Sequence, residues 1–352
     1  MPGPPSAAPR SEYAVATTSV PAAPAAPAVS GRDAHPILDL VGRRAAIGIV
    51  TLFVVSAVVF LATQVLPGNA AYAVLGHTAT PARLRALEAQ LHLNRGVLDQ
   101  YRTWLSGLLT GNPGRSLANG QAVWGQIYPR LINSAGLVFI SGLVGSLVGV
   151  ALGSVAALRK RGWFDRVTSV VLLAVTSLPE FVVGIGLIIL FATVVTRLLP
   201  AVSLLPPGVY FWDAPSLLVL PVATLVIVIV PYIYRMTRAA MIEALESDYV
   251  EMARMEGLSQ PRIVLLHALP NAIAPAIQVI GLNFLYLAGG IVVVEYVYNY
   301  PGVGQGLVNA VQNRDIPVIQ LIVVVLAAFY IFMNIVTDVI ALLATPRRRV
   351  SG

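Results

Sequence analysis

Long hydrophobic runs alternate with short polar stretches along most of the chain. The hydrocarbon core of a bilayer is about 30 Å thick, and about 20 helical residues cross it. Six of the runs reach that length, so the pattern predicts six transmembrane helices. They lie at about 45–66, 132–158, 167–199, 215–237, 272–297 and 318–343. The chain is therefore expected to be an all-α, polytopic membrane protein.

The third run is longer than one crossing requires, and it contains Pro179. A proline inside a helix removes one backbone donor and usually causes a kink or a break. We therefore expect this helix to tilt or to break near Pro179.

The segments outside the runs differ in character. Residues 1–36 hold eight prolines and ten alanines without an apolar period, which predicts a disordered tail. Residues 37–347 form the membrane domain, and 348–352 form a second short tail. Within the loop 67–131, two apolar stripes predict two short amphipathic helices on the outer surface of that domain. The stripes are Leu84, Leu87 and Leu91, and then Leu98, Tyr101, Leu105 and Leu108.

Composition excludes several classes of protein. The chain is 57% hydrophobic and only 11% charged, whereas soluble domains are about 25% charged. There is no cysteine, which excludes disulfides and thiolate metal sites, and the four histidines show no metal-ligand spacing. No catalytic residue, metal or cofactor is therefore assigned to this chain. A membrane-embedded hydrolase would need a nucleophile–base pair or a metal cluster in the spans, and the sequence contains neither pattern.

The basic residues carry information about topology. Lys160 is the only lysine, and it does not lie in the Gly-Lys-Ser/Thr sequence of a phosphate-binding loop, so any ATP chemistry must belong to a partner. Fifteen of the 23 lysines and arginines fall on the side of the six spans that holds both ends of the chain. The positive-inside rule therefore predicts that both termini are cytoplasmic. This asymmetry accounts for the net charge of +7 without nucleic-acid binding.

The polar stretch 238–271 has the pattern of a helical hairpin. A helix is expected to run down to Glu256, with Gly257 in the left-handed conformation that ends helices. Pro261 begins a second helix, and Pro270 is expected to end it. Because both ends join membrane spans, we interpret the hairpin as a surface for a protein partner and not as a DNA-binding helix-turn-helix. A passive connection is the alternative.

This stretch resembles a known family. Glu251-Met252-Ala253, Gly257 and His267-Ala268-Leu269-Pro270 follow the spacing of the EAA loop in permease subunits of binding-protein-dependent ABC importers. Three further segments resemble the dipeptide/oligopeptide/nickel branch, and the long loop after the first span resembles its dipeptide-type B permease. These segments are 100–117, 293–304 and 314–317, and the resemblance as a whole covers about 38–347.

The resemblance implies a type I ABC importer permease fold in the bacterial inner membrane and a transport role without enzymatic activity. It implies a heterodimer with a second permease, two ATPase subunits that carry ATP and Mg, and an external binding protein. The implied cargo is a dipeptide or short oligopeptide, and nickel complexes, glutathione and haem stay open. The residues that it assigns to ATPase coupling are Glu251, Ala253, Arg254, Glu256, Gly257, Leu258, Leu269 and Pro270.

Glu251 and Glu256 depart from the family pattern, which commonly has basic or neutral residues at these positions. We therefore hypothesise that the cleft of the ATPase partner carries complementary arginine or lysine residues.

Two carboxylates lie within apolar runs, where charge is costly and usually functional. Glu180 follows Pro179 in the third span, and Glu295 lies near the end of the fifth. Both are candidates to line a translocation path. The alternative for Glu295 is that it anchors the following loop, through backbone N–H groups or through Arg314. An ion-coupled secondary transporter is a rival function in which Glu180 would be the coupling group.

Overall fold

The computed structural model describes residues 36–65, 80–82, 96–195, 197–206 and 208–344, together with Gly3. The predicted tails 1–36 and 348–352 and the stripe Leu84–Leu91 lie almost entirely or wholly outside this part of the chain. Within it the fold is helical, and the one pairing of extended backbone is an isolated bridge between Arg115 and Ala122. The α-helices in chain order are α1 (Pro36–Val65), α2 (Val97–Leu109), α3 (Val123–Leu158), α4 (Trp163–Thr176), α5 (Glu180–Ile188), α6 (Val219–Leu245), α7 (Asp248–Met255), α8 (Gln260–Ile263), α9 (Leu269–Val297), α10 (Val303–Gln312) and α11 (Ile316–Ala344).

The described residues contain five helical segments long and apolar enough to cross a membrane, and six if one bent pair of helices is counted as a single span. The bent pair is α4 and α5, the latter extended by a π-helical turn at Ile189–Thr193. Their axes differ by 105° at the break. Pro179 directly precedes α5, where its missing N–H interrupts no helical hydrogen bond. The predicted break near Pro179 is confirmed.

Helix α6 lies at the centre of the membrane domain and packs against α3, α5 and α9. Helix α3 approaches it through a row of glycines. A Cβ atom on Gly149 would lie 2.8 Å from Ile233, and one on Gly153 would lie 2.8 Å from the carbonyl oxygen of Tyr234. The glycines therefore allow the two backbones to come together, as small residues do in membrane helix pairs.

Helix α2 confirms one of the two amphipathic helices expected in the loop after the first span. Tyr101 and Trp104 pack against Phe60 of α1, with ring centroids 5.3 Å and 5.7 Å apart. The Tyr101 hydroxyl also forms a hydrogen bond of 2.8 Å with Ser56. These contacts hold the apolar face of α2 against α1.

Two details of the predicted hairpin region were wrong. The helix expected to run down to Glu256 is interrupted, because α6 ends at Leu245 and α7 begins only at Asp248. Pro270 does not end the second helix. That helix continues through a π-helical turn (Val264–Ala268) into α9, of which Pro270 is the second residue.

Candidate functional site

The segment 248–263, which we call the Gly257 hairpin, consists of α7, a tight turn and α8. Ser247 precedes α7 in an extended conformation (ψ 152°) and separates it from α6. Asp248 and Glu251 lie in the first turn of α7, where negative side chains interact favourably with the positive end of the helix dipole. Local sequence therefore favours a short, separate helix at this point.

Gly257 ends α7 with a Schellman motif. Its φ of +79° lies in the left-handed region, as the sequence predicted. The N–H of Gly257 donates to the carbonyl oxygen of Arg254 (3.0 Å), and the N–H of Leu258 donates to that of Ala253 (3.2 Å). These two bonds satisfy carbonyl groups that the end of the helix would otherwise leave free.

The inside of the Gly257 hairpin is a small hydrophobic cluster. Val250, Ala253 and Ile263 are buried, and Leu258 packs against them. Ala253 therefore lies between α7 and α8, where a larger side chain would push the helices apart. Its small size serves the closure of the hairpin itself.

The outside of the Gly257 hairpin is a mixed charged and apolar surface. Glu251, Arg254 and Glu256 are exposed, whereas Leu258 is half-buried. Of the two other predicted coupling residues, which lie outside the hairpin at the start of α9, Pro270 is exposed and Leu269 is half-buried. Large apolar side chains also face outward close to these residues. They are Tyr249, Met252, Met255, Leu265 and Leu266, of which Met255 is 76% exposed and Leu266 63% exposed.

Two ion pairs hold the loop between α3 and α4 against α6, just before the hairpin. Arg238 binds Asp165 through two hydrogen bonds, of 2.5 Å and 2.7 Å, and Asp165 is buried. Lys160 pairs with Glu246 at the surface. The N–H of Arg161 also donates to Asp165 (3.0 Å), so this carboxylate ties α6 to both the loop and the first turn of α4. Sequence reasoning missed the pair because 73 residues separate its members.

Glu295 lies near the far end of α9, about 39 Å of helix from Leu269 at a rise of 1.5 Å per residue. It is 0% exposed. Its carboxylate accepts a hydrogen bond from the Ser134 hydroxyl (2.5 Å) and from the backbone N–H groups of Gly304 (2.7 Å) and Gln305 (3.1 Å). Glu295 thus acts as a remote cap for the first turn of α10, whose own N-cap residue, Gly302, has no side chain to accept these N–H groups.

The same turn is braced from α3. Arg130 donates to the carbonyl oxygen of Gly302 (3.1 Å) and to the side chain of Gln305 (2.8 Å). A second contact with α3 comes from Tyr300, whose hydroxyl donates to the carbonyl oxygen of Asn133 (3.0 Å). Burial raises the pKa of this hydroxyl. The structure therefore shows Glu295 anchoring the loop that follows α9 through backbone N–H groups. The arginine that supports this loop is Arg130 and not Arg314. A contribution of Glu295 to a path stays a prediction.

A second anchor lies nearby. Asp315, directly before α11, accepts hydrogen bonds from the hydroxyl of Ser116 and from the N–H of Leu117 (3.0 Å). It ties the segment after α2 to the start of α11. The sequence showed Ser116 and Asp315 only as parts of motifs, since 199 residues separate them.

Glu180 is placed differently from Glu295. It is the first residue of α5 and is half-buried. Its carboxylate accepts a hydrogen bond from the Tyr286 hydroxyl of α9 (3.0 Å). The structure thus separates the three sequence-predicted sites: the hairpin at one end of α9, Glu180 beside its middle and Glu295 at its other end.

Two sequence profiles match this chain. One, described as "Binding-protein-dependent transport system inner membrane component", matches residues 149–350. The other, the N-terminal region of a membrane component of the same transport system, matches residues 37–137. The chain belongs to the binding-protein-dependent transport system inner membrane components.

Similar proteins agree with this family. The chain is 35% identical over 309 residues to a probable peptide ABC transporter permease of Sinorhizobium fredii, covering 87% of this chain and 98% of the relative. It is 33% identical over 299 residues to the glutathione transport system permease of Escherichia coli K12, covering 85% and 95%. Among solved structures, a subunit of the inward-facing MetNI methionine ABC transporter has a TM-score of 0.50 at 19% identity, covering 62% of this chain and 96% of that one. At this identity the match shows the fold alone.

Membership of the family makes the chain a multi-pass subunit of an ABC importer in a bacterial inner membrane. It is a transport subunit and not an enzyme, and such importers work with an ATPase and a substrate-binding protein. The ion-coupled and hydrolase alternatives are thereby set aside.

Proposed function

We propose that this permease forms half of the translocation path for dipeptides or short oligopeptides, in a heterodimer with a second, homologous permease. Two cytoplasmic ATPase subunits bind and hydrolyse ATP with Mg, and an external binding protein delivers the cargo. The chain itself holds no cofactor and performs no chemistry. Both of its termini face the cytoplasm.

The observation that carries the coupling proposal is the construction of the Gly257 hairpin. Its inner face is filled and its turn is closed by two backbone hydrogen bonds, so it is a stiff unit. Only Glu246 and Ser247 separate it from α6, and a π-helical turn joins it to α9. Because no long flexible linker lies on either side, an ATPase that moves the hairpin would also move α6 and α9.

The exposed surface of the hairpin suits a protein partner. Met252, Met255 and Tyr249 supply apolar contact area, and Met is enriched at protein interfaces. Glu251 and Glu256 add negative charge on the same short helix and its cap. A partner cleft with basic residues would match this surface.

The cargo proposal rests on the relatives. One is described as a peptide permease and another as a glutathione permease, and glutathione is itself a tripeptide. A short peptide as the cargo therefore agrees with the descriptions of both relatives, and glutathione is the second candidate. Nickel complexes and haem are the remaining alternatives.

The cargo is tested with the binding protein that works with this permease. Purified without added ligand and then denatured, it should release a short peptide or glutathione, detected by mass spectrometry. The same sample is checked for nickel by elemental analysis and for haem by its absorption spectrum. Release of stoichiometric nickel or haem without peptide would overturn the peptide proposal.

The charges on the hairpin are tested by reversal. In the assembled transporter, the double variant Glu251→Lys, Glu256→Lys should lower ATP-driven uptake about tenfold or more, because like charges across an interface cost several kcal/mol. Basal hydrolysis by the ATPase subunits should persist, while its stimulation by the loaded binding protein should fall.

Asp39→Lys is the matched control, since Asp39 is an exposed carboxylate in the first turn of α1, outside the hairpin. It should leave uptake and stimulation unchanged. Normal coupling in the assembled double variant would contradict the hypothesis of a basic ATPase cleft.

A further inference from the structure

The break between α4 and α5 brings one acidic side chain against the middle of α9. Glu180 points at Tyr286, whose hydroxyl donates to it, and at Gly290. A Cβ atom on Gly290 would lie 3.0 Å from a carboxylate oxygen of Glu180. The glycine thus leaves room for the carboxylate beside the helix.

Three other carboxylates in or beside the membrane helices have stronger partners than Glu180 has. Asp165 binds Arg238, Asp338 pairs with Arg44 at 2.7 Å, and Glu295 accepts two backbone N–H groups and a hydroxyl. Within the part of the chain that the structure describes, Glu180 has a hydroxyl partner but no ion pair. Among the described residues no cation pairs with this carboxylate, which suits it to a cationic ligand.

The surroundings of Glu180 are open and not sealed. It borders a shallow, open depression of about 440 Å³ whose wall mixes hydroxyl and apolar side chains. An ionised carboxylate facing lipid would be costly, whereas one facing a water-filled cavity is tolerated. The other residues of the wall are Thr176, Ser177, Leu178, Pro179, Phe181, Tyr286 and Val293.

We propose that Glu180 and Tyr286 form a binding point for a primary ammonium group of the cargo, such as the free N-terminus of a short peptide. The ammonium donates to the Glu180 carboxylate and places a positive charge beside it, while Tyr286 orients the carboxylate from the other side. The hydroxyls of the wall suit the peptide backbone. Because this is a single charge-assisted contact at an open depression, it binds the cargo weakly enough for the cargo to dissociate and continue along the translocation path. This inference rests on the proposed function, because it takes the cargo to be a peptide.

The test compares two peptides in the complete transporter, reconstituted in vesicles with its binding protein. The probes are dialanine, which has a free ammonium group, and N-acetyl-dialanine, which has none. Glu180→Gln should lower uptake of dialanine about tenfold, the loss expected for one hydrogen bond to a charged group. It should leave uptake of N-acetyl-dialanine within twofold. The uptake of each peptide is expressed as the ratio of the variant to the wild type. In this ratio the preference of the binding protein for one of the two peptides cancels.

Further variants keep the result decisive if the binding protein rejects the acetylated probe. Glu180→Asp keeps the carboxylate and should recover at least part of the dialanine uptake, whereas Tyr286→Phe should reduce it by a few-fold. The control Asp39→Asn should behave as wild type, and assembly is checked by purification of the intact complex. Wild-type dialanine uptake in assembled Glu180→Gln would overturn the ammonium site alone. Absence of dialanine uptake in the wild type, with glutathione and longer peptides also refused, would instead overturn the proposed function.

Discussion

Replacement of Glu295 by glutamine is expected to lower the free energy of unfolding of the permease by about 3 kcal/mol, the scale for removing one charged partner from a buried polar group. Glutamine has nearly the same shape, but one of its terminal atoms is an amide nitrogen. Either that N–H₂ group faces the N–H groups of Gly304 and Gln305, or it faces the Ser134 hydroxyl and forces that hydroxyl to turn. In the first arrangement two buried donors lose their acceptor.

The loss should extend beyond one residue, because the carboxylate caps α10. The turn 299–302 and the first turn of α10 pack onto Glu295, and Gly302 is so close to it that no Cβ atom would fit. Loss of the cap should loosen the connection between α9 and α10. We expect a lower melting temperature of the purified permease complex and faster proteolysis between α9 and α10.

Glu180→Gln is the matched control for this measurement. It removes a carboxylate from the same membrane domain, but one that holds a single hydroxyl and no backbone N–H. Its melting temperature should stay close to that of the wild type even though its peptide uptake falls. Equal stability of the Glu295→Gln variant and the wild type would show that the carboxylate is not a structural anchor, and would return Glu295 to the candidates for the path.

Replacement of Asp165 by alanine is expected to cost about 3 kcal/mol, near the lower end of the range for breaking a buried ion pair. Asp165 is almost fully buried, and the Arg238 side chain is 30% exposed, so water solvates the abandoned guanidinium only in part. The variant also loses the acceptor for the N–H of Arg161, a residue with φ of +64°. Thermal unfolding of the purified complex measures this cost.

The neighbouring pair Lys160–Glu246 is an internal control, because it bridges nearly the same two elements at the surface. Glu246→Ala should change stability by about 0.5 kcal/mol or less, as exposed ion pairs usually do. The double variant Asp165→Ala, Arg238→Ala should be less destabilised than the sum of the two single variants, because each single variant leaves an unpaired charge and the double variant leaves none. Additive losses would show that Asp165 and Arg238 do not stabilise each other.

The Gly257 hairpin shows how far local sequence patterns reach. Gly257 predicts its own left-handed turn, since few other residues adopt positive φ without strain, and its neighbours show where the helices begin. The sequence predicted the length of each helix less well. The first helix is interrupted at Ser247, where the backbone is extended, and the second continues through a π-helical turn and past Pro270; apolar periodicity encodes neither feature.

Ala253 illustrates a second limit. Its small size is visible in the sequence, and a resemblance to other permeases associates it with the docking of a partner. The structure places it against Ile263 and Leu258, inside the hairpin. Whether a small residue allows the approach of a partner or of its own neighbouring helix depends on which way the helix face points. That direction is set by packing.

The sequence alone determined the class of this protein: the length and number of the apolar runs, the break at Pro179, the hairpin and its glycine turn, and the family. All of these follow from interactions between residues close together in the chain, or from a composition that only a bilayer accommodates. Only the tertiary structure decided between two carboxylates that look alike in sequence. Glu295 accepts hydrogen bonds from α3 and α10, whereas Glu180 accepts one from a hydroxyl of α9. The reason is that the cost of a buried charge depends on the groups around it, and some of these are distant in sequence: Ser134 lies 161 residues from Glu295, and Tyr286 lies 106 residues from Glu180.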